Sequence, residues 1–253
     1  MSDSIYIKSK SEIELMRQAG RITAGARTIA RQAVAAGVST KQIDKLVHEF
    51  IVKSGAKPTF KGYGGFPGSA CISINDEVIH GIPSAKRVLK EGDIVKIDVG
   101  AFIGGYHGDS ANTFPVGRVS EEALRLIEAT KRSFELGVEA ASQPGARLGD
   151  VGAAIDGYVT KMGYSTVKKF VGHGIGQDLH EDPNVPNFGT PGRGVRLCNG
   201  MTIAIEPMVN AGGAGVYVLP DGWTVKTTDG SLSAHYEHTV ALTADGPILL
   251  TKI

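Results

Sequence analysis

The sequence predicts an α+β protein of two similar halves about a pseudo-twofold axis: a curved, mostly antiparallel sheet backed by helices, with a cleft where the halves meet. Three observations carry that prediction. First, the chain aligns with itself at one constant offset without a gap. Gly37, Ile43, Val47, Phe50, Ile51, Lys53 and Gly55 fall opposite Gly145, Val151, Ile155, Tyr158, Val159, Lys161 and Gly163, and EGDIVKID (91–98) meets NGMTIAIE (199–206). Second, each half reads as helix, helix, then strands. Third, the alignment makes Asp98 and Glu206 equivalent, two acids closing matched apolar runs.

The elements follow in order. A long helix is expected over 11–36, opened by the capping-box pattern Ser11-Glu12-Ile13-Glu14 and carrying Ile22, Ala26, Ile29, Ala33 and Ala36 on one face before Gly37 stops it. A shorter helix begins at Ser39, shows Ile43, Leu46, Val47, Phe50 and Ile51 at core-facing spacing, and ends at Gly55. The second half repeats the pair over about 121–138 and 148–162. Apolar, β-branched runs supply the strands: CISIN, DIVKIDVGAF, TVKKFVG, MTIAIEPMV and YEHTVALTA. The 253 residues fit one domain, with half-repeats of approximately 11–115 and 120–245.

Composition narrows the class. Lys and Arg number 27 against 26 Asp and Glu, and the bases are scattered, which excludes a nucleic-acid footprint. Two cysteines, Cys71 and Cys198, lack the paired spacing of a structural zinc site or a redox motif, and a reducing cytoplasm is the expected setting. The first eighteen residues have neither the basic nor the apolar region of a secretory leader, and no run is long enough to span a bilayer, so no membrane partner is expected.

The chemistry is concentrated in five residues, Asp98, Asp109, His173, Glu206 and Glu237, each in or beside a short apolar or Gly-rich run. Four carboxylates buried together would repel strongly unless counter-charge is supplied, and two divalent cations would cancel four negative charges. Carboxylate and imidazole suit Mn, Fe(II), Co or Zn, and the absence of thiolate argues against structural zinc. Period-two alternation groups His107 with Asp109 and Ala111, His235 with Glu237 and Thr239, and Asp98 with Lys96 and Gly100. Taken singly, each ligand has an ordinary alternative, a turn or cap for an acid and a hydrogen-bonded loop residue for a histidine.

The residues then resemble a known family. CISINDEVIHGIP (71–83), DIVKIDVGAF (93–102), GYHGDSANTF (105–114), GHGIGQDLHEDP (172–183), IEPMV (205–209) and EHTV (237–240) are similar to the segments of the methionine aminopeptidases, specifically the short bacterial type I enzymes of the pita-bread fold. The resemblance implies a dinuclear site in which Asp109 and Glu237 bridge two divalent ions, Asp98 clasps one, and His173 with Glu206 completes the other. It implies removal of an N-terminal methionine preceding a small residue, by a metal-bridged hydroxide attacking the first peptide bond. Glu206 is then the general base, and His80 and His180 meet the charge on the intermediate. The methionine pocket corresponds to Phe60, Tyr63, Phe66, Cys71, Leu179, Met208 and Trp223, where aromatic rings and sulfur suit a thioether. From the residues alone, His80 could equally be a turn histidine, His180 a loop residue, and the pocket set ordinary packing.

The chain departs from the common bacterial pattern, which has a cysteine, a histidine and an aromatic where Phe60, Gly64 and Leu179 stand. Of the remaining histidines, His48 is expected to be solvated, His107 and His235 to orient ligands, and His238 to be structural. The family further implies a monomer acting on nascent polypeptide N-termini in the cytoplasm, near the ribosome. Its substrate rule also implies that the chain's own Met1 is removed ahead of Ser2. Proline-specific relatives normally carry an extra N-terminal domain, and type II enzymes a helical insertion for which 205–239 leaves no room. A catalytically dead module of this fold would have no reason to keep all five ligands and both histidines.

Overall fold

Each half opens with a packed helix pair whose start is fixed by side-chain caps. In the computed structural model, which describes residues 5–252, α1 spans Lys10–Ala33 and α2 spans Thr40–Lys53. Met1 and Ser2, on which the self-processing expectation falls, lie outside the described residues. The cap of α1 is Ser9 rather than Ser11: the Glu12 N–H donates to Ser9 Oγ at 3.3 Å, and the Ser9 N–H donates to Glu12 Oε2 at 2.8 Å. Both serines have a glutamate three residues on, so pattern alone could not choose between them. The helix also ends earlier than expected, because Val34 turns into extended backbone and packs against the first-half core.

The buried stripe of α1 is Met16, Ala19, Thr23, Ala26 and Ala30, while Ile22 and Ile29 are only half-buried and Ala36 is exposed. Small residues let α1 lie almost against the sheet. A Cβ on Gly108 would stand 2.9 Å from the Gly20 nitrogen, and the Thr23 hydroxyl lies 3.0 Å from the Gly108 carbonyl. On α2, Ile43, Val47 and Ile51 are buried as expected, whereas Leu46 is exposed.

The first-half strands are β1 (Lys57–Pro58), β2 (Ala70–Ile74), β3 (Glu77–Ile79), β4 (Ile94–Ile103) and β5 (Tyr106–Pro115). Strands β1, β2 and β5 all pair antiparallel with β4. The β4–β5 turn is Gly104-Gly105, both at positive φ, as a two-residue turn matching strand twist demands. Ile72, Val95, Ile97 and Val99 fill the core between this sheet and the helices. Asp98 lies in the middle of β4, not at the end of a strand, since pairing continues to Ile103.

The second half begins with α3 (Glu121–Ala141) and α4 (Leu148–Lys161), followed by β6 (Ser165–Thr166), β7 (Gly172–Gly174), β8 (Glu181–Val185), β9 (Thr202–Ile205), β10 (Met208–Asn210), β11 (Val216–Val218), β12 (Val225–Thr227), β13 (Ser233–His235), β14 (His238–Thr243) and β15 (Gly246–Leu249). One sheet has the order β15-β14-β9-β7-β8, a second β13-β10-β6, and a third β11-β12-β3, which draws β3 of the first half across. Phe134, Ile155, Val159, Ile203 and Val240 belong to the core of the second half.

Three expected strands are interrupted. TVKKFVG holds only β6 and the start of β7, with residues 167–171 as a loop between them. MTIAIEPMV divides into β9 and β10 because Pro207 cannot donate to a ladder. YEHTVALTA starts as a loop and becomes β14 at His238. The last two interruptions face each other: β9 pairs β14, β10 pairs β13, and the Tyr236 N–H donates to the Pro207 carbonyl at 3.2 Å. Two candidate ligands, Glu206 and Glu237, stand at this shared break.

Candidate metal centre and active-site cavity

Strand register builds the first half of the site. Gly100 lies opposite Asp109 and Ala111 opposite Asp98, so the two aspartates share one face of the hairpin, each across from a small residue. The second half is docked onto the same strand. The Glu237 N–H donates to the Ala111 carbonyl at 2.9 Å, the Ser110 hydroxyl to the Glu237 carbonyl at 2.7 Å, and the Asp109 N–H to Thr239 Oγ1 at 3.0 Å. Glu237 is thereby fixed beside Asp109, although no continuous strand runs through it as alternation had implied.

His173 is delivered by β7, which is squeezed between β8 and β9. A Cβ on Gly172 would meet the Ala204 carbonyl at 2.3 Å, and one on Gly174 the Asp182 carbonyl at 2.3 Å, so both neighbours of His173 must be glycine. The His173 Nδ1–H donates to the Gly174 carbonyl at 2.8 Å, leaving Nε2 as a lone pair. That nitrogen faces Glu206 Oε1 at 3.6 Å and Asp109 Oδ2 at 3.9 Å.

These donors form two overlapping sets. One atom each of Asp109, His173 and Glu237 lie within 4.8 Å of one another, and so do one atom each of Asp98, His235 and Glu237. Glu237 belongs to both. The residues fit a pair of divalent ions: Asp98 Oδ1 and Asp109 Oδ1 are buried with no hydrogen-bond partner, and among the described residues no Lys or Arg pairs with any of the four acids. Burial, then the charges of Asp109 and Glu206, hold the Asp98 carboxyl well above the usual range. Burial and then Asp109 do the same to Glu206 and Glu237, and burial raises Asp109 to about 7. His173 moves the opposite way, down to about 3, through burial and then the neighbouring His180. A neutral imidazole among acids that resist ionising is a site built for external positive charge.

His80 and His180 flank this floor. His80 sits at φ 59°, in the left-handed region that a non-glycine residue rarely adopts, edge-on to Phe170 and Trp223 at centroid distances of 6.0 and 6.3 Å. Burial, then His180, lowers its pKa to about 4, and burial lowers that of His180. His180 stands 4.3 Å from the His173 ring, and its Nδ1 is 2.7 Å from the Tyr63 hydroxyl.

Phe60, Tyr63, Phe66, Cys71, Leu179 and Trp223 line the cavity over the acids, together with Ile79, Phe170 and Val171, which sequence reasoning missed. Phe170 offered a signal, three residues before His173; Ile79 reads only as a strand residue next to His80. Met208 is not in the wall: it is fully buried behind Ile79, with Val78, Val167 and Val225. Burial, then the acids of the floor, raises the Cys71 thiol and keeps it protonated. His48 is half-buried and bonded to Ser69 at 2.9 Å rather than solvated. His107 bonds Thr59 at 3.1 Å and packs on Phe102 rather than lining the cavity, and His238 bonds Thr251 at 2.7 Å.

A carboxylate-rich, histidine-flanked floor under an apolar cavity, at the seam of two helix-backed halves, defines a metal-dependent hydrolase. The profile of metallopeptidase family M24 matches residues 14–244. The chain is 54% identical over 247 residues to a methionine aminopeptidase of Clostridium acetobutylicum, covering 98% of both chains. The crystal structure of a methionine aminopeptidase from Thermotoga maritima superposes with a TM-score of 0.96 at 46% identity, covering 99% of this chain and 100% of that one. The prolidase of Pyrococcus furiosus superposes at 0.77 with 25% identity, over 98% of this chain but 65% of its own. The chain belongs to metallopeptidase family M24 and, within it, to the type I methionine aminopeptidases of the pita-bread fold.

Proposed function

We propose that this chain removes the N-terminal methionine from peptides and nascent proteins whose second residue is small. Two divalent ions, of Co, Mn, Fe(II) or Zn, would be held by Asp98, Asp109, His173, Glu206 and Glu237. The observation that carries this reading is four acids with no Lys or Arg partner among the described residues, set beside the bare Nε2 of His173 beneath an apolar, sulfur- and ring-lined cavity. Bound there, the ions supply Lewis acidity to a water and to the scissile carbonyl. The chain's own residues do the rest. Glu206, with a carboxyl whose proton affinity burial raises, accepts the proton of the attacking water and returns it to the leaving amine. His80 and His180, neutral near pH 7, donate to the oxygen that gains charge. Asp98 receives the substrate's α-ammonium. Phe60, Phe66, Cys71, Leu179 and Trp223 enclose the thioether, with Met208 supporting the wall through Ile79. The halves, roughly 11–115 and 120–245, act as one catalytic domain. We take the chain to work as a monomer in the cytoplasm, at the ribosome, where nascent N-termini appear.

The test is hydrolysis of Met-Ala-Ser beside Ala-Pro peptides, with metal, with chelator, and with Glu206→Gln. Methionine release that chelation abolishes, and that the substitution lowers about 100- to 10,000-fold, is expected. Release dependent on proline, or surviving both treatments, overturns the reading.

A further inference from the structure

Glu206 stands between two imidazoles, one to each oxygen. Oε1 faces His173 Nε2 at 3.6 Å, and Oε2 faces His235 Nε2 at 3.7 Å. The same His235 nitrogen is 3.9 Å from Glu237 Oε2. His235 is 1% exposed, yet neither ring nitrogen has a hydrogen-bond partner. Its backbone is clamped: the Thr113 hydroxyl donates to the His235 carbonyl and accepts from the His235 N–H, both at 2.9 Å, and β10 pairs with it through Met208. Buried imidazole nitrogens almost always find a partner, and this one is fixed with Nε2 aimed at two carboxylate oxygens.

We propose that His235 is a positioning residue for Glu206: its Nε2–H holds the Oε2 side of Glu206 and the adjacent Glu237 oxygen, leaving Oε1, which faces His173 Nε2, as the oxygen that would take a metal ion. The two oxygens of the general base are thereby made unequal, one for the metal and one for the proton. This rests on the role given to Glu206 above. His173 is oriented differently, because its Nδ1–H is spent on a carbonyl and its Nε2 is free to ligate. A bond from Nε2 to a carboxylate leaves no lone pair on that nitrogen for a metal, so positioning and ligation by Nε2 exclude each other.

The test compares His235→Gln, which keeps an N–H donor, with His235→Leu, which keeps none, in the cobalt-loaded protein. The leucine variant is expected to lower kcat and calorimetric cobalt affinity about 10- to 100-fold while KM for Met-Ala-Ser stays within about twofold. The glutamine variant is expected to restore most of both losses. X-ray absorption should count the same imidazoles per cobalt in the wild type and the glutamine variant. Wild-type kcat and cobalt affinity in the leucine variant would reduce His235 to packing; fewer imidazoles in the glutamine variant would make it a ligand; either overturns the proposal. If the leucine variant does not fold, Thr113→Val carries the test, expected to lower kcat with KM and imidazole count unchanged, and an unchanged kcat overturns the proposal. Absence of methionine release by the wild type would sink the function proposed above, and the cobalt affinity and imidazole count would still decide His235.

Discussion

His180 can polarise a substrate oxygen only if the nitrogen facing the cavity carries a proton, and Tyr63 determines which nitrogen that is. Burial, then the charge of Asp178, raises the Tyr63 pKa above its ordinary value, so its hydroxyl keeps its proton and can donate to Nδ1. An Nδ1 that accepts forces the proton onto Nε2. Tyr63 lies 117 positions from His180 in sequence, and no local pattern links the two; the sequence suggested only an aromatic wall. Tyr63→Phe is expected to lower kcat about 10-fold with little change in KM, against about 100-fold or more for His180→Ala. Steady-state kinetics on Met-Ala-Ser checks both, and an unchanged kcat in Tyr63→Phe would show the tautomer to be set elsewhere.

Within β4 and β5 the grouping of neighbours was legible because alternation is local, setting Asp98 with Gly100 and Asp109 with Ala111. That the two aspartates share one face follows from the pairing of the two strands, which alternation within each cannot supply. The other three ligands depend on long-range events. Glu206 and Glu237 occupy a paired strand break in which Pro207 and Tyr236 meet across the sheet, and alternation carried through such a break gives the right neighbours for the wrong reason. Leu46 was misplaced for a related reason, since an apolar residue at helical spacing can lie at the exposed rim of the buried stripe; Met208, placed in the pocket by resemblance alone, lies one layer behind the cavity wall. The glycines around His173 are the sharpest case of close packing. Gly174→Ala must push β7 away from the Asp182 carbonyl, and cobalt titration is expected to show weakened binding in step with a lower unfolding temperature. The break is supported from behind by Phe134, which packs on Tyr236 and His238 at centroid distances of 5.2 and 5.4 Å. Phe134→Ala is expected to cost about 3–5 kcal/mol in urea unfolding.

On the scale of the whole molecule, the fold keeps four carboxyl groups together at its seam, and that couples stability to both pH and metal. Asp109 has its folded pKa raised from 3.8 to about 7, so its contribution to the metal-free fold is full below its unfolded value and is lost as pH rises through about 7. Asp98, Glu206 and Glu237 shift in the same direction. Divalent ions reverse that penalty by pairing the ionised acids, but below about pH 7 they must first displace protons. Other buried groups titrate as well: His80 near 4 and His238 near 3 weaken the fold in acid, and Lys96, lowered to about 7, weakens it below that pH relative to alkaline solution. These groups lie outside the proposed ligand set, so comparing metal-loaded with chelated protein at each pH largely removes their effect. The rise in unfolding temperature on adding cobalt is therefore expected to be small near pH 5 and to grow through about pH 7, with protons released on binding in the lower range. Thermal unfolding with and without chelator, and calorimetry in buffers of different ionisation enthalpy, measure the two quantities. A metal-induced shift that did not change with pH, and released no protons, would mean that the acids at the seam are already ionised before the metal arrives.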